Sequence, residues 1–82
     1  MTYRVVFHAK ADAETIGLPA EAFTALIEIL AVVSRDPYDQ AVTLATDDPH
    51  IRRAAFATFG LCSFHIDEET RTLRAFDVTW TG

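Results

Sequence analysis

Two runs near the end of the chain carry the strongest pattern of apolar and polar positions. Leu61-Cys62-Ser63-Phe64-His65-Ile66 and Thr72-Leu73-Arg74-Ala75-Phe76-Asp77-Val78-Thr79-Trp80 are rich in apolar, aromatic and β-branched residues, while Asp67-Glu68-Glu69-Thr70-Arg71 between them is polar. That pattern predicts two strands joined by a solvent-facing hairpin at the centre of the sheet. Tyr3-Arg4-Val5-Val6-Phe7-His8 alternates, with Tyr3, Val5 and Phe7 on one face, and predicts a first strand. Ile51-Arg52-Arg53-Ala54-Ala55-Phe56 predicts another, turning near Thr58-Phe59-Gly60 into Leu61, although its alanines are poor strand formers.

Between these strands the period changes to that of helices. Ala9 to Ile16 suits a short helix closed by Gly17 as a left-handed C-cap and docked through Ala13 and Ile16. Leu18-Pro19-Ala20-Glu21 opens a longer one, with Pro19 at the first helical position and Glu21 favoured by the helix dipole. Phe23, Leu26, Ile27, Leu30 and Val33 form the stripe expected to face the sheet. Ala22, Ala25, Ile29 and Val32 widen it, so the extra apolar face is covered either by the short helix or by a partner groove or dimer seam. Ser34-Arg35-Asp36-Pro37 ends the helix, because the residue before proline is driven out of the helical region. A polar connection follows from Tyr38 to Pro49, interrupted by Ala41-Val42-Thr43-Leu44 and closed by the turn signal Asp47-Asp48-Pro49. The predicted order is β-α-α-β-β-β. It implies an α+β fold, with two helices on one face of a mainly antiparallel sheet of about four strands.

Length and composition narrow the class. The 82 residues suit one domain spanning 1–82, and half of them are hydrophobic, as in a globular chain. The longest apolar run, Ala25 to Val33, is broken by Glu28 and falls short of the roughly 20 residues of a membrane helix. No basic segment precedes an apolar one at the start, so no signal peptide is expected and the cytoplasm is the expected location. Cys62 is the only cysteine, which excludes an internal disulfide and a multi-cysteine metal site; within a strand it reads as a small buried hydrophobe. Twelve carboxylates against seven Lys and Arg give a net charge of -5. That lowers the expectation of nucleic-acid binding outside a local patch and fits a soluble protein or one with a basic partner.

Candidate chemistry is sparse. His8, His50 and His65 lack metal-ligand spacing, and no metal or cofactor is expected. His65 and Asp67 share a strand face, which permits an imidazole–carboxylate contact or simply an exposed histidine beside a turn acid. Serines lack a nucleophile elbow, and Gly17, Gly60 and Gly82 make no phosphate loop. The acid pairs Asp47-Asp48 and Glu68-Glu69 fall in predicted turns, where carboxylates are ordinarily solvated. Arg52, Arg53, Arg71 and Arg74 remain, either as a cationic patch able to stabilise phosphoryl charge or as side chains that offset neighbouring acids.

Tyr3-Arg4-Val5-Val6-Phe7, the helix ending Ser34-Arg35-Asp36-Pro37, and Gly60 followed by Phe64-His65-Ile66-Asp67-Glu68-Glu69-Thr70 together resemble the RelE/ParE superfamily of bacterial type II toxin–antitoxin toxins. The resemblance covers nearly the whole chain and implies an antitoxin partner. It further implies either ribosome-dependent mRNA cleavage, as in RelE-like members, or action on DNA gyrase, as in ParE-like ones. A nuclease would draw on Arg52, Arg53, Arg71, Arg74 and His65. The chain departs from the nuclease pattern with Leu61-Cys62 after the glycine, Trp80-Thr81-Gly82 at its end, and Lys10 as its one lysine. Each departure removes a group that would bind rRNA or stabilise the transition state. The expectation is therefore a toxin-like protein that works by binding an antitoxin or similar small protein, with RNase activity weak or lost. An active RelE-type endonuclease engaging ribosome and mRNA, and a small structural or homodimerising domain of the same layout, stand as alternatives.

Overall fold

The computed structural model describes residues 2–82. Strand β1 (Arg4–Phe7) leads into helices α1 (Ala9–Ile16) and α2 (Ala20–Val33), followed by β2 (Leu44–Ala45), β3 (Ile51–Phe56), β4 (Gly60–Asp67) and β5 (Thr72–Trp80). The strands form one sheet in the order β1-β5-β4-β3-β2. β1 runs parallel to β5, and every other pairing is antiparallel. The fold is α+β as expected, with five strands where the sequence pattern predicts four. The added strand is β2. It is two residues long, too short to show a period, and it pairs Leu44 with Arg53 and Ala45 with Arg52.

β4 and β5 form the predicted centre, and the alternation of β5 is broken once. The register passes from Ser63↔Asp77 to Phe64↔Ala75 and leaves Phe76 as the extra residue of a bulge. This lets Cys62, Phe64 and Ile66, together with Leu73, Ala75 and Val78, all reach the core. Gly60 is needed where β4 begins, since a Cβ there would lie 2.6 Å from the Phe56 carbonyl oxygen.

α2 meets this core through Ala22, Leu26, Leu30 and Val33, with Ile29 partly buried. The expected stripe is thus rotated by about one position: Phe23 is 42% and Ile27 44% exposed. The sheet already supplies Phe56 and Phe64, so small Ala22 allows close approach while the larger Phe23 points outward. Val32 is exposed as well, so α1 does not cover the outer face of α2.

α1 docks differently from the expectation. Ala11 is fully buried, whereas Ala13 is exposed and Ile16 is 83% exposed. β1 ends at Phe7 opposite Ala75, and α1 occupies the β5 edge beyond it. There Glu14 Oε1 accepts a hydrogen bond from the Val78 backbone N–H at 2.9 Å, and Lys10 Nζ meets Asp77 at 2.6 Å. A carboxylate thereby pairs a strand-edge donor that β1 is too short to reach. Gly17 has φ −83, a right-handed value, because the chain turns directly into Leu18 without a left-handed reversal. Pro19 is the extended N-cap, one position ahead of its predicted place. Among the described residues, no helix is long and apolar enough to cross a membrane.

Candidate functional site

Strand geometry decides which of the candidate side chains meet. Residues of β3 alternate between faces, so Arg52 joins Ala54 and Phe56 on the helix side while Arg53 joins Ile51 and Ala55 on the open side. Arg53 lies opposite Ser63, and His65 lies opposite Arg74 on one flank and Ile51 on the other. Three neighbouring strands thus place Arg53, His65 and Arg74 on one open face. His65 and Arg74 are direct cross-strand partners, and Arg53 is diagonal to His65, within roughly 7–8 Å.

The face is not uniformly cationic. Arg74 Nη1 contacts Asp67 Oδ2 at 2.9 Å, while Asp67 Oδ1 accepts from the backbone N–H groups of Glu69 and Thr70. The Thr70 N–H is the main reason that the Asp67 carboxyl is held below the usual range, with Arg74 adding to it. Asp67 is therefore engaged by Arg74 and the turn, and of the two readings of His65 the structure shows the exposed histidine beside a turn acid. Asp77, opposite Ser63 in β5, is lowered chiefly by its hydrogen bond from Lys10, with Thr79 and the charge of Arg53 contributing.

The other two arginines belong elsewhere. Arg52 Nε donates to Thr43 Oγ1 at 2.7 Å and its Nη2 to the Thr43 carbonyl at 3.3 Å, fastening the loop before β2. Arg71 sits in the β4–β5 turn at φ 51, with its guanidinium 5.3 Å from the centre of the Tyr3 ring. Beside it Glu68 accepts hydrogen bonds from the phenols of both Tyr3 and Tyr38. The hydrogen bond to Glu68 raises the Tyr3 pKa, and burial followed by the Glu68 charge raises that of Tyr38. This clasp joins β1, the loop after α2 and the central hairpin.

One residue was missed by the sequence reading. The His50 ring lies 6.3 Å from that of His65, because the Asp48 carboxylate and the Ile66 N–H fix the turn before β3 against β4. Only the strand register, with Ile51 opposite His65, reveals this proximity. The two histidines border a depression of about 260 Å³ shared with Asp67, Glu68 and Glu69. Among the described residues, no group of three or more His, Cys, Asp or Glu is placed to hold a metal ion. Cys62 is buried and its thiol is pushed up to about 12 by desolvation, which removes it as a nucleophile.

No family model and no curated protein matches this sequence. Solved structures do match over nearly the full length. A RelBE toxin–antitoxin complex from Mycobacterium tuberculosis contains a chain 23% identical, with a TM-score of 0.81 over 99% of this chain and 100% of that one. The intact RelBE complex of E. coli gives 16% identity and a TM-score of 0.84 over 98% of both chains. The archaeal RelE–RelB complex from Pyrococcus horikoshii gives 17% identity and 0.75 over 100% of this chain and 98% of that one. The chain therefore has the fold of the RelE toxins.

Proposed function

We propose that this protein is the toxin-like component of a type II toxin–antitoxin pair, acting by binding an antitoxin or similar small protein, with weak or lost ribonuclease activity. The dispersal of the arginines carries this reading. Of the four in the candidate set, Arg52 fastens a loop, Arg71 stacks on Tyr3 and Arg74 is paired with Asp67. Arg53 alone extends from the open face without an ion pair among the described residues. Phosphoryl transfer needs several positive groups aimed at one developing charge, and a net charge of -5 opposes the approach of rRNA. The RelE chains of similar fold are found in complexes with RelB, which supports a protein partner. Under this reading the protein acts in the cytoplasm, and among the described residues no helix is long and apolar enough to cross a membrane.

A second reading is favoured by one observation. Arg53, His65 and Arg74 share an open face on adjacent strands, an arrangement suited to an imidazole acid or base beside cationic groups. Under that reading the protein is an active mRNA endonuclease.

Inducing the gene alone and together with its neighbour, while growth and mRNA ends are followed, separates the readings. The binding reading expects a neighbour product that copurifies with this chain, and no new mRNA ends. New ends at codon-phased positions that vanish in Arg53→Ala would establish the nuclease.

A further inference from the structure

The His50 and His65 side chains are neighbours on the surface, and the backbone that carries them is fixed. The Ile66 N–H donates to the His50 carbonyl at 2.7 Å, and the His50 N–H donates to Asp48 Oδ1 at 2.8 Å. One residue further on, Ile51 is the cross-strand partner of His65 in the β3–β4 ladder. Both histidines are exposed, with ring centres 6.3 Å apart and planes inclined at 48°.

That spacing is close to what a shared metal ion requires. Imidazole nitrogens bind zinc at about 2.0–2.1 Å, which puts the centres of two rings on one ion about 5 Å apart. Exposed side chains cover the remaining distance, about 1 Å, by small changes in their χ angles. The rings are also available. Asp67 and Arg74, the polar neighbours of His65 on its face, bond to each other, and the one hydrogen bond that holds Asp48 to His50 uses the backbone rather than the ring.

The surroundings favour a cation. The depression of about 260 Å³ that the two rings border also takes in Asp67, Glu68 and Glu69. Arg74 offsets Asp67, but Glu68 and Glu69 form no ion pair among the described residues. Two carboxylate charges therefore stand uncompensated beside the imidazoles. No third ligating group is in place among the described residues, so water would fill the rest of the coordination shell. Imidazole selects zinc, nickel and copper, whereas magnesium and calcium demand oxygen ligands.

We propose that His50 and His65 together chelate one divalent transition-metal ion of the zinc, nickel or copper class. The chelate forms whether the protein acts by binding a partner or by cleaving mRNA. It ties the turn before β3 to β4, and it withholds the His65 imidazole from the open face shared with Arg53 and Arg74.

The test titrates the full chain with zinc chloride, following heat by calorimetry and the imidazole signals by NMR. One ion binds per chain, and the ring signals of His50 and His65 shift while those of the exposed His8 stay in place. His50→Ala and His65→Ala each weaken binding by roughly tenfold or more, and His8→Ala leaves it unchanged. Both chelating positions are exposed, so the amide spectra of the variants without metal keep the parent pattern. Saturating zinc raises the unfolding temperature of the parent and leaves that of the two chelate variants where it was. Magnesium chloride at the same concentration moves neither ring. Absence of zinc binding overturns the proposal, as do full-strength binding in either chelate variant and an equal response to magnesium. One ion shared between two chains, seen as zinc-induced dimerisation, would overturn it too.

Discussion

Arg52 and Arg53, adjacent in sequence, project from opposite faces of β3: Arg52 holds Thr43 beneath the sheet, and Arg53 stands exposed on the open face opposite Ser63. Their removal should therefore have different effects. Arg52→Ala forfeits charge-assisted hydrogen bonds to the loop and lowers stability by about 1–2 kcal/mol, whereas Arg53→Ala changes it by less than about 0.5 kcal/mol. Paired denaturant titrations check this, and equal losses would mean that Arg52 does not fasten the loop.

The Tyr3–Glu68–Tyr38 clasp predicts loss of stability at alkaline pH. Both phenols have raised pKa values in the folded chain. Below the ordinary phenol value of about 10 they are protonated in both states and their contribution is complete; as pH rises through the folded values that contribution is lost. Glu68→Gln should move the phenol titration, followed by absorbance near 295 nm, back toward the ordinary value. An unmoved titration would remove Glu68 as the cause.

At the acid end the sign reverses. Asp67 and Asp77 have lowered pKa values in the folded chain, so their contribution is present above the ordinary carboxylate value and is lost as pH falls through the depressed one. Asp67→Asn keeps a side-chain oxygen for the Glu69 and Thr70 N–H groups but gives up the charge facing Arg74. Its stability should vary less between pH 5 and pH 2 than that of the parent; an identical acid profile would contradict the assignment.

Cys62 offers a probe of opening. With its thiol buried and raised to about 12, a disulfide reagent at pH 8 should modify it only as fast as the chain unfolds. Rapid modification of the folded protein would show that β4 is accessible.

Gly60→Ala should be among the most damaging small substitutions. The added methyl would overlap the Phe56 carbonyl oxygen at 2.6 Å as well as its ring, and a loss of roughly 1–3 kcal/mol is expected. Thermal unfolding measures it, and a neutral result would mean that the β3–β4 turn shifts freely.

Most of the architecture was legible because its strands are patterned. Leu61 to Trp80 alternates strongly enough to mark the central hairpin, and Pro37 marks the end of the long helix. Rotational and edge features were not legible. Whether Ala22 or Phe23 faces the sheet depends on the bulk of Phe56 and Phe64 across the interface, and Leu44–Ala45 becomes a strand only because β3 offers an edge. The candidate site suffered for a related reason. Arg52, Arg53, Arg71 and Arg74 look alike in a list of cations, but strand parity, the Thr43 loop and the Tyr3 ring separate them. His50 became visible only through the register that brings it to His65.

The most direct measurement adds the purified protein to translating ribosomes and maps the mRNA ends. Binding without cleavage as the mode of action predicts the same ends as in untreated ribosomes. Codon-phased cuts that disappear with Arg53→Ala, while the fold is retained, would contradict it.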